Sequence, residues 1–391
     1  MIYLPFPLTY VIFFLFIIHR QLSRAFIVNN YHTFFSLITP GDMQMTECYA
    51  IVNVPIMTLY TELSENTPIS YEETINESVF LPVDEELFGN VVRVIEEKQN
   101  IAKVITSSGF FGWVNKTALL YINECKAFAL TDIDEYFNMK LLYINAPHAD
   151  ILTAPDVMSF KIITLVSGSL VIDVTESDKN DSGYTRVQLP DGRIGFIMTV
   201  FTEKPKYGYG YLKADVTTLL NAFNLHDKTQ QGGTPDFQLS KVLDRFYDGS
   251  EEAFRKALTD NALEFMNVQY RWAGRSSEGI DCSGLIQRAY LRAGIHINRN
   301  SLIKDGFPVM RLSEITSGQD IVSCARRGDI LPGDILYFAG HVAMYLEDGL
   351  FIHATGHKSY SRVTTNSLYE ENPLYRADLI DILYAYGGIK K

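Results

Sequence analysis

The sequence predicts an α+β domain at the C-terminal end of the chain, preceded by two small all-β modules in tandem. Three observations carry this. Short alternating apolar runs separated by turn residues fill residues 45–122, and the same grammar repeats loosely over 133–203. Each block closes on a glycine-led apolar strand, Gly112-Trp113-Val114 in the first and Gly195-Phe196-Ile197 in the second. Beyond residue 251 the apolar period becomes helical and then returns to strand-like alternation. A chain of 391 residues is expected to hold two or three domains, and 47% hydrophobic residues allow each a core.

The elements follow in order. From Ile2 to Ile18 no side chain is charged, and Tyr10 to Ile18 is the densest apolar run. This is the length of a signal h-region and short for a membrane span. No Lys or Arg precedes it, and Arg20 and Arg24 follow it. Residues 1–24 are read as a signal or membrane-anchor segment, with membrane association through 1–18. That places the protein in the cell envelope, whether periplasmic, secreted or anchored. A misassigned start would make it cytoplasmic.

In the first block, Ala50–Tyr60, Val91–Ile95, Ala102–Ile105 and Phe110–Val114 read as strands. In the second, Leu141–Pro147, Asp150–Pro155, Ile162–Val166, Ser167–Ile172 and Val187–Ile197 do so. Residues 204–250, with Tyr207-Gly208-Tyr209-Gly210-Tyr211 and Gly232-Gly233-Thr234-Pro235, read as a linker. Residues 251–391 form the last domain. It has a helix over Glu251–Val268, a second helix from Cys282 closed by Gly294 as a C′ glycine, an irregular stretch from Asn298 to Gly328, and strands after that.

A net charge of −12 leaves no basic surplus for phosphates, so nucleic acid is not expected as a partner. The four cysteines, Cys48, Cys125, Cys282 and Cys324, match neither zinc spacing nor a disulfide framework. Cys48 and Cys125 read as buried thiols and Cys324 as core. No EF-hand pattern is present, and no metal or cofactor is expected.

Cys282 differs from the others by its place. Asp281 before it is a good N-cap, which puts the thiol at the first helical position, where the helix dipole favours thiolate. A thiol nucleophile needs a base, and the base needs an orienting group. Four histidines follow Cys282: His296, His341, His353 and His357. His341-Val342-Ala343-Met344-Tyr345-Leu346 and Leu350-Phe351-Ile352-His353-Ala354 read as two strands joined by Glu347-Asp348-Gly349. A two-residue Asp-Gly loop would put the two histidines on opposite faces. A three-residue loop, a type I turn followed by Gly in αL, pairs Leu346 with Leu350 and His353 with Ala343. His341 and His353 then share one face as diagonal neighbours. His296 and His357 lack this arrangement.

Two resemblances can now be stated. The blocks ending in Gly112-Trp113-Val114 and Gly195-Phe196-Ile197 resemble bacterial SH3-like domains, the second with Phe196 where Trp is usual. The last domain resembles the NlpC/p60 family of papain-like cell-wall cysteine peptidases. The motifs are Tyr270-Arg271-Trp272-Ala273-Gly274, Asp281-Cys282-Ser283-Gly284, Leu331-Pro332-Gly333-Asp334-Ile335-Leu336-Tyr337-Phe338, Gly340-His341-Val342 and Phe351-Ile352-His353-Ala354. Ala273 replaces the first glycine of the family's Tyr-x-Trp-Gly-Gly segment. The resemblance implies Cys282 as nucleophile, His341 as general base and His353 as its orienter, with the Cys282 amide as an oxyanion donor. It implies a contribution from the Tyr270 hydroxyl, and substrate contacts at Asp281 and Ser283. Trp272 is read as packing.

Members with SH3-like domains look like γ-D-glutamyl-L-diamino acid endopeptidases that act on peptidoglycan stem peptides or muropeptides, often with a free N-terminal L-Ala. In them the first SH3-like domain narrows the cleft. Asp281 is the expected holder of the L-Ala ammonium, and Asn300 sits where a carboxylate would help. The alternatives are an amidase or acyltransferase of the same fold, or a non-catalytic wall-binding protein.

Overall fold

The computed structural model describes residues 48–61, 82–106, 109–122, 133–176, 183–206, 239–295, 297, 299, 311–314 and 318–388. The apolar segment 1–18, Cys125, His296, Asn300 and most of the expected linker lie outside them. Among the described residues no helix is long and apolar enough to cross a membrane.

The first block forms β1 (Cys48–Val52), β2 (Ile56–Tyr60), β3 (Pro82–Leu87), β4 (Val91–Lys98), β5 (Ile101–Ile105), β6 (Phe111–Asn115) and β7 (Leu119–Tyr121). The run Ala50–Tyr60 is two strands rather than one, interrupted around Pro55, whose missing N–H cannot continue a ladder. After a short helix α1 (Ile133–Phe137), the second block forms β8 (Leu141–Ile144), β9 (His148–Leu152), β10 (Lys161–Val166), β11 (Leu170–Asp173), β12 (Tyr184–Gln188), β13 (Ile194–Met198) and β14 (Thr202–Glu203).

The first sheet has the order β3-β2-β6-β5-β4-β1-β7, and the second β10-β9-β13-β12-β11-β8-β14. Each strand of the second takes the place of the one seven earlier, so the two blocks share one topology. The echoing glycines explain themselves here. A Cβ on Gly112 would stand 2.9 Å from the Tyr60 carbonyl oxygen, and one on Gly195 2.9 Å from that of Leu152. Both glycines lie where the sixth strand crosses the end of the second, with Tyr60 opposite Trp113 and Leu152 opposite Phe196.

The last domain begins before the expected boundary. Helix α2 (Leu239–Phe246) lies inside the stretch read as linker, and its Leu239 and Leu243 join the same buried cluster as Phe254, Leu258 and Leu285. Helix α3 (Glu251–Leu263) is capped by Ser250 and ends five residues earlier than its periodicity suggests. Phe265 and Met266 still reach the core from the turns that follow.

Next come the short pair β15 (Arg275–Ser276) and β16 (Gly279–Ile280), then α4 (Cys282–Arg292). The stretch read as irregular holds β17 (Arg311–Glu314) and α5 (Gly318–Arg327). Strands β18 (Ile335–Phe338), β19 (His341–Tyr345), β20 (Leu350–Thr355) and β21 (Arg362–Ser367), helix α6 (Ala377–Ile380) and β22 (Leu383–Gly388) complete the chain.

The sheet order is β17-β22-β18-β19-β20-β21, antiparallel throughout. Alternation along its strands builds two cores. Ile335, Tyr337, Val342, Met344 and Ile352 pack with α2, α3 and α4, while Leu336, Phe338, Ala343, Phe351 and Leu383 pack with α5 and α6. The expected class, an α+β domain with the cysteine helix on an antiparallel sheet behind two small all-β units, is the one observed.

Candidate active site

The turn before α4 fixes the position of Cys282. Asp281 is extended, and its Oδ1 accepts from the Gly284 amide at 2.8 Å, the expected N-cap. At the other end Gly294 is left-handed at φ 99°, and the amides of Gly294 and Ile295 return to the Leu291 and Tyr290 carbonyls. Gly284 is demanded by proximity: a Cβ there would stand 2.4 Å from the Gly274 carbonyl oxygen. In that same turn Ala273 is left-handed at φ 64°, the conformation for which glycine is the usual choice.

The Cys282 side chain lies against the backbone amide of Val342, the residue after His341. Burial pushes its thiol up to about 11, and the Asp281 carboxylate adds to this. The Val342 and Ser283 amides and the Arg299 guanidinium pull the other way without reversing it. Against the expected dipole-favoured thiolate, burial of the sulfur therefore acts in the opposite direction.

Strands β19 and β20 pair Met344 with Ile352 and Tyr345 with Phe351. Continued toward the strand ends, this register sets Ala343 opposite His353 and puts both histidines on one face. Nε2 of His341 lies 2.8 Å from Nδ1 of His353, with ring centroids 5.0 Å apart. The loop reaches this register by another route than a type I turn. Asp348 (φ 49°) and Gly349 (φ 77°) are both left-handed, as in a type I′ turn, and the Leu350 amide donates to Glu347 O. The Leu346 amide then donates to Leu350 O, which leaves Glu347 as a one-residue bulge.

His353 is wholly buried, with the Phe351 ring 5.3 Å away and Nε2 2.9 Å from Oδ1 of Asn366. Burial holds its pKa down to about 4, against the opposing effect of the Asn366 contact. It is neutral at physiological pH. Asn366, on β21, was not among the residues singled out from the sequence.

A second missed group lies on the other side of Cys282. Arg299 donates from Nη1 to Asp281 Oδ1 and from Nη2 to Asp281 Oδ2, each at 2.7 Å, and from Nη1 to the Ser283 hydroxyl. Nη2 also reaches Gly274 O at 3.1 Å, and Nε pairs with Asp84 of β3 at 3.2 Å. Both Asp281 oxygens and the Ser283 hydroxyl are thus committed within the protein. Asp281 and Ser283, expected as substrate contacts, thus also tie the start of α4 to Arg299.

Asp84 belongs to a run, Asp84-Glu85-Glu86, that is buried although charged. Besides Arg299, its partners include the segment before Cys282. Arg271 Nη1 donates to Glu85 Oε1 at 3.2 Å, the Arg275 amide to Glu85 Oε2 at 2.9 Å, and Arg275 Nη1 to Glu86 Oε2 at 3.3 Å. Trp272 is half exposed rather than packed inside, and its Nε1 donates to Pro82 O at 3.1 Å. The first β unit is therefore joined to both the Tyr270–Arg275 segment and the start of α4. Tyr270 is half-buried on the core, with its amide on Ser361 O and its ring beside Gly356.

Comparisons with known proteins agree with this architecture. The model of the NlpC/P60 family matches residues 267–377. Dipeptidyl-peptidase 6 of Lysinibacillus sphaericus is 32% identical over 308 residues, 78% of this chain and 92% of that protein. A murein DD-endopeptidase/murein LD-carboxypeptidase of Escherichia coli is 26% identical over 34% of this chain and 68% of its own. The crystal structure of an NlpC/P60 family protein from Bacillus cereus superposes with a TM-score of 0.56 at 18% identity, covering 86% of this chain and 98% of that one. It shares the fold across the β units as well as the last domain. Because the first of these similarities runs through nearly the whole of the relative, and the family match falls on the segment that holds Cys282 and both histidines, the chain belongs to the NlpC/P60 family and is a cysteine peptidase.

Proposed function

We propose that the protein hydrolyses peptidoglycan stem peptides at the bond between γ-D-Glu and the diamino acid, with Cys282 as nucleophile, His341 as base and His353 as its orienter. The observation that carries the reading is the 2.8 Å contact between His341 Nε2 and His353 Nδ1, on the strand whose Val342 amide meets Cys282. The similarity to a dipeptidyl-peptidase along 92% of its length supports extending the reading to the tandem β units.

In this mechanism the Cys282 thiol passes its proton to His341 as sulfur attacks the scissile carbonyl carbon. The first amide of α4 has no intrahelical acceptor and stabilises the oxyanion. Collapse breaks the C–N bond, and His341 returns the proton to the leaving amine. Water, activated by the same imidazole, then hydrolyses the thioester.

The test is incubation of the protein and a Cys282→Ala variant with L-Ala-γ-D-Glu-diaminopimelate, free and N-acetylated. Cleavage of the free peptide by the wild type alone is expected. Cleavage by both proteins would remove Cys282 from the role. Equal cleavage of the capped peptide would remove the free-amine requirement, and no cleavage by either would favour a wall-binding role.

A further inference from the structure

We infer that Asn366 is a positioning residue that selects, through His353, the tautomer of His341 in which Nδ1 is left bare as the proton acceptor. The inference rests on the proposed reading of His341 as base.

The Leu374 carbonyl fixes the orientation of the Asn366 amide. Its Nδ2 lies 2.9 Å from the Leu374 carbonyl oxygen, which can only accept, so nitrogen must occupy that side. Oδ1 is thereby turned to His353 Nε2 at 2.9 Å, and it too can only accept. Nε2 of His353 must carry a hydrogen. A neutral imidazole carries one, so Nδ1 of His353 is a lone pair. At 2.8 Å from that lone pair, Nε2 of His341 must donate. As a base His341 carries one ring proton; that proton is then on Nε2, and Nδ1 is the nitrogen that accepts from the thiol.

The neutrality of His353 is part of the device. A doubly protonated His353 would donate from Nδ1 as well, drive the His341 proton onto its own Nδ1 and abolish the base. The charged groups that act on His353 are Arg376, which opposes its protonation, and Asp378, which favours it. His341 and Asn366 take its two nitrogens. Phe351 flanks the ring, and burial decides in favour of the neutral form. Asn rather than Asp at 366 supplies the acceptor without a charge that would hold the imidazolium. Strand register brings it there: β21 sets Thr364 opposite His353, and Asn366 is the diagonal neighbour on the same face.

The test begins with the resting wild type and no substrate. In ¹⁵N-histidine-labelled protein at pH 7, long-range ¹H–¹⁵N correlation is expected to show both imidazoles as the Nε2–H tautomer. An Nδ1–H tautomer at His353 overturns the inference. Asn366→Ala is expected to lower kcat roughly tenfold or more, with KM within about twofold. Asn366→Asp is expected to move the acid limb of kcat/KM upward by about one pH unit or more, because a carboxylate at Nε2 holds a second proton on His353. An unshifted limb in the Asp variant, or full kcat in the Ala variant, overturns it. The tautomer measurement needs neither variant to fold nor any peptide to be cleaved. A failed substrate assignment therefore leaves it readable, and a wrong tautomer leaves the substrate assignment standing.

Discussion

Replacing Asp84 by Asn tests whether the first β unit is energetically part of the helix start that bears Cys282. Asp84 is fully buried, pairs with Arg299 at 3.2 Å and with Arg275 at 3.5 Å, and accepts from Thr106 Oγ1 at 3.0 Å. Removing one partner of a buried ion pair costs about 3–5 kcal/mol when the other charge is left uncompensated. Here neither guanidinium is. Arg299 keeps Asp281 at 2.7 Å, and Arg275 keeps Glu86 at 3.3 Å and the Glu85 carbonyl at 2.9 Å. Asn also preserves the shape and the acceptor for Thr106. The expected cost of Asp84→Asn is therefore below that range, about 2 kcal/mol. Arg299→Met deprives Asp281 of its cation and leaves Asp84 only the longer pair with Arg275, and is expected to cost more, about 3–5 kcal/mol. The double variant should fall short of the sum by about 1–2 kcal/mol, since each change removes the same contact. Urea unfolding followed by tryptophan fluorescence measures this. One of the two tryptophans, Trp272, donates to Pro82 O beside the cluster and reports on that contact. Additivity within about 0.4 kcal/mol would refute the coupling.

Ala273→Gly is expected to stabilise the protein by about 0.5–1 kcal/mol, because relief of the left-handed alanine exceeds the extra chain entropy of glycine; a thermal melt of the two proteins checks it. Stability is expected to fall between pH 6.5 and pH 4. There the unfolded chain protonates His353 while the folded protein, with its value lowered to about 4, does not. The loss attributable to this residue is about 3 kcal/mol at full protonation of the unfolded state, and denaturant melts across that window should show a shallower decline in His353→Gln.

Local patterns made much of this molecule legible, and distance along the chain set the limit. Strand alternation and the paired glycine-led strands announced two related β units, and the shared strand order is their physical counterpart. Helix α2 was hidden because only eight residues carry its amphipathic face, next to Gly232-Gly233-Thr234-Pro235. Helix α5 begins on Gly318, a residue that reads as a breaker. Its lack of a side chain serves contact instead, for a Cβ there would meet the Ile380 carbonyl oxygen at 2.0 Å.

Within the candidate site, Cys282, His341 and His353 could be read from the sequence because a cap and a short hairpin are local devices. Asn366 did not, because its place depends on the register of β21 across residues 356–361, which no turn chemistry fixes. Arg299 and Asp84 lie 215 positions apart and meet only in three dimensions. The one available signal was the run Asp84-Glu85-Glu86 between Val83 and Leu87: three carboxylates in a strand of a small β unit call for cations to bury against.

The same buried charges bear on the cysteine at the helix start. A first turn offers about half an elementary charge, screened or enhanced by whatever stands beside it. Here Asp281 stands beside it, taking the Gly284 amide and raising the thiol, while Arg299 neutralises Asp281 through two contacts. Burial is the largest influence on the thiol, which it pushes up to about 11, while Asp281 raises it and the Val342 amide and Arg299 lower it. Under the proposed roles, charge separates as the thiol gives its proton to His341 and sulfur attacks. That step places a positive charge on His341, and the group waiting at its Nε2 is the lone pair of a neutral His353, held in that state by burial and by the uncharged acceptor Asn366. Under those roles the site stabilises charge where it develops during attack.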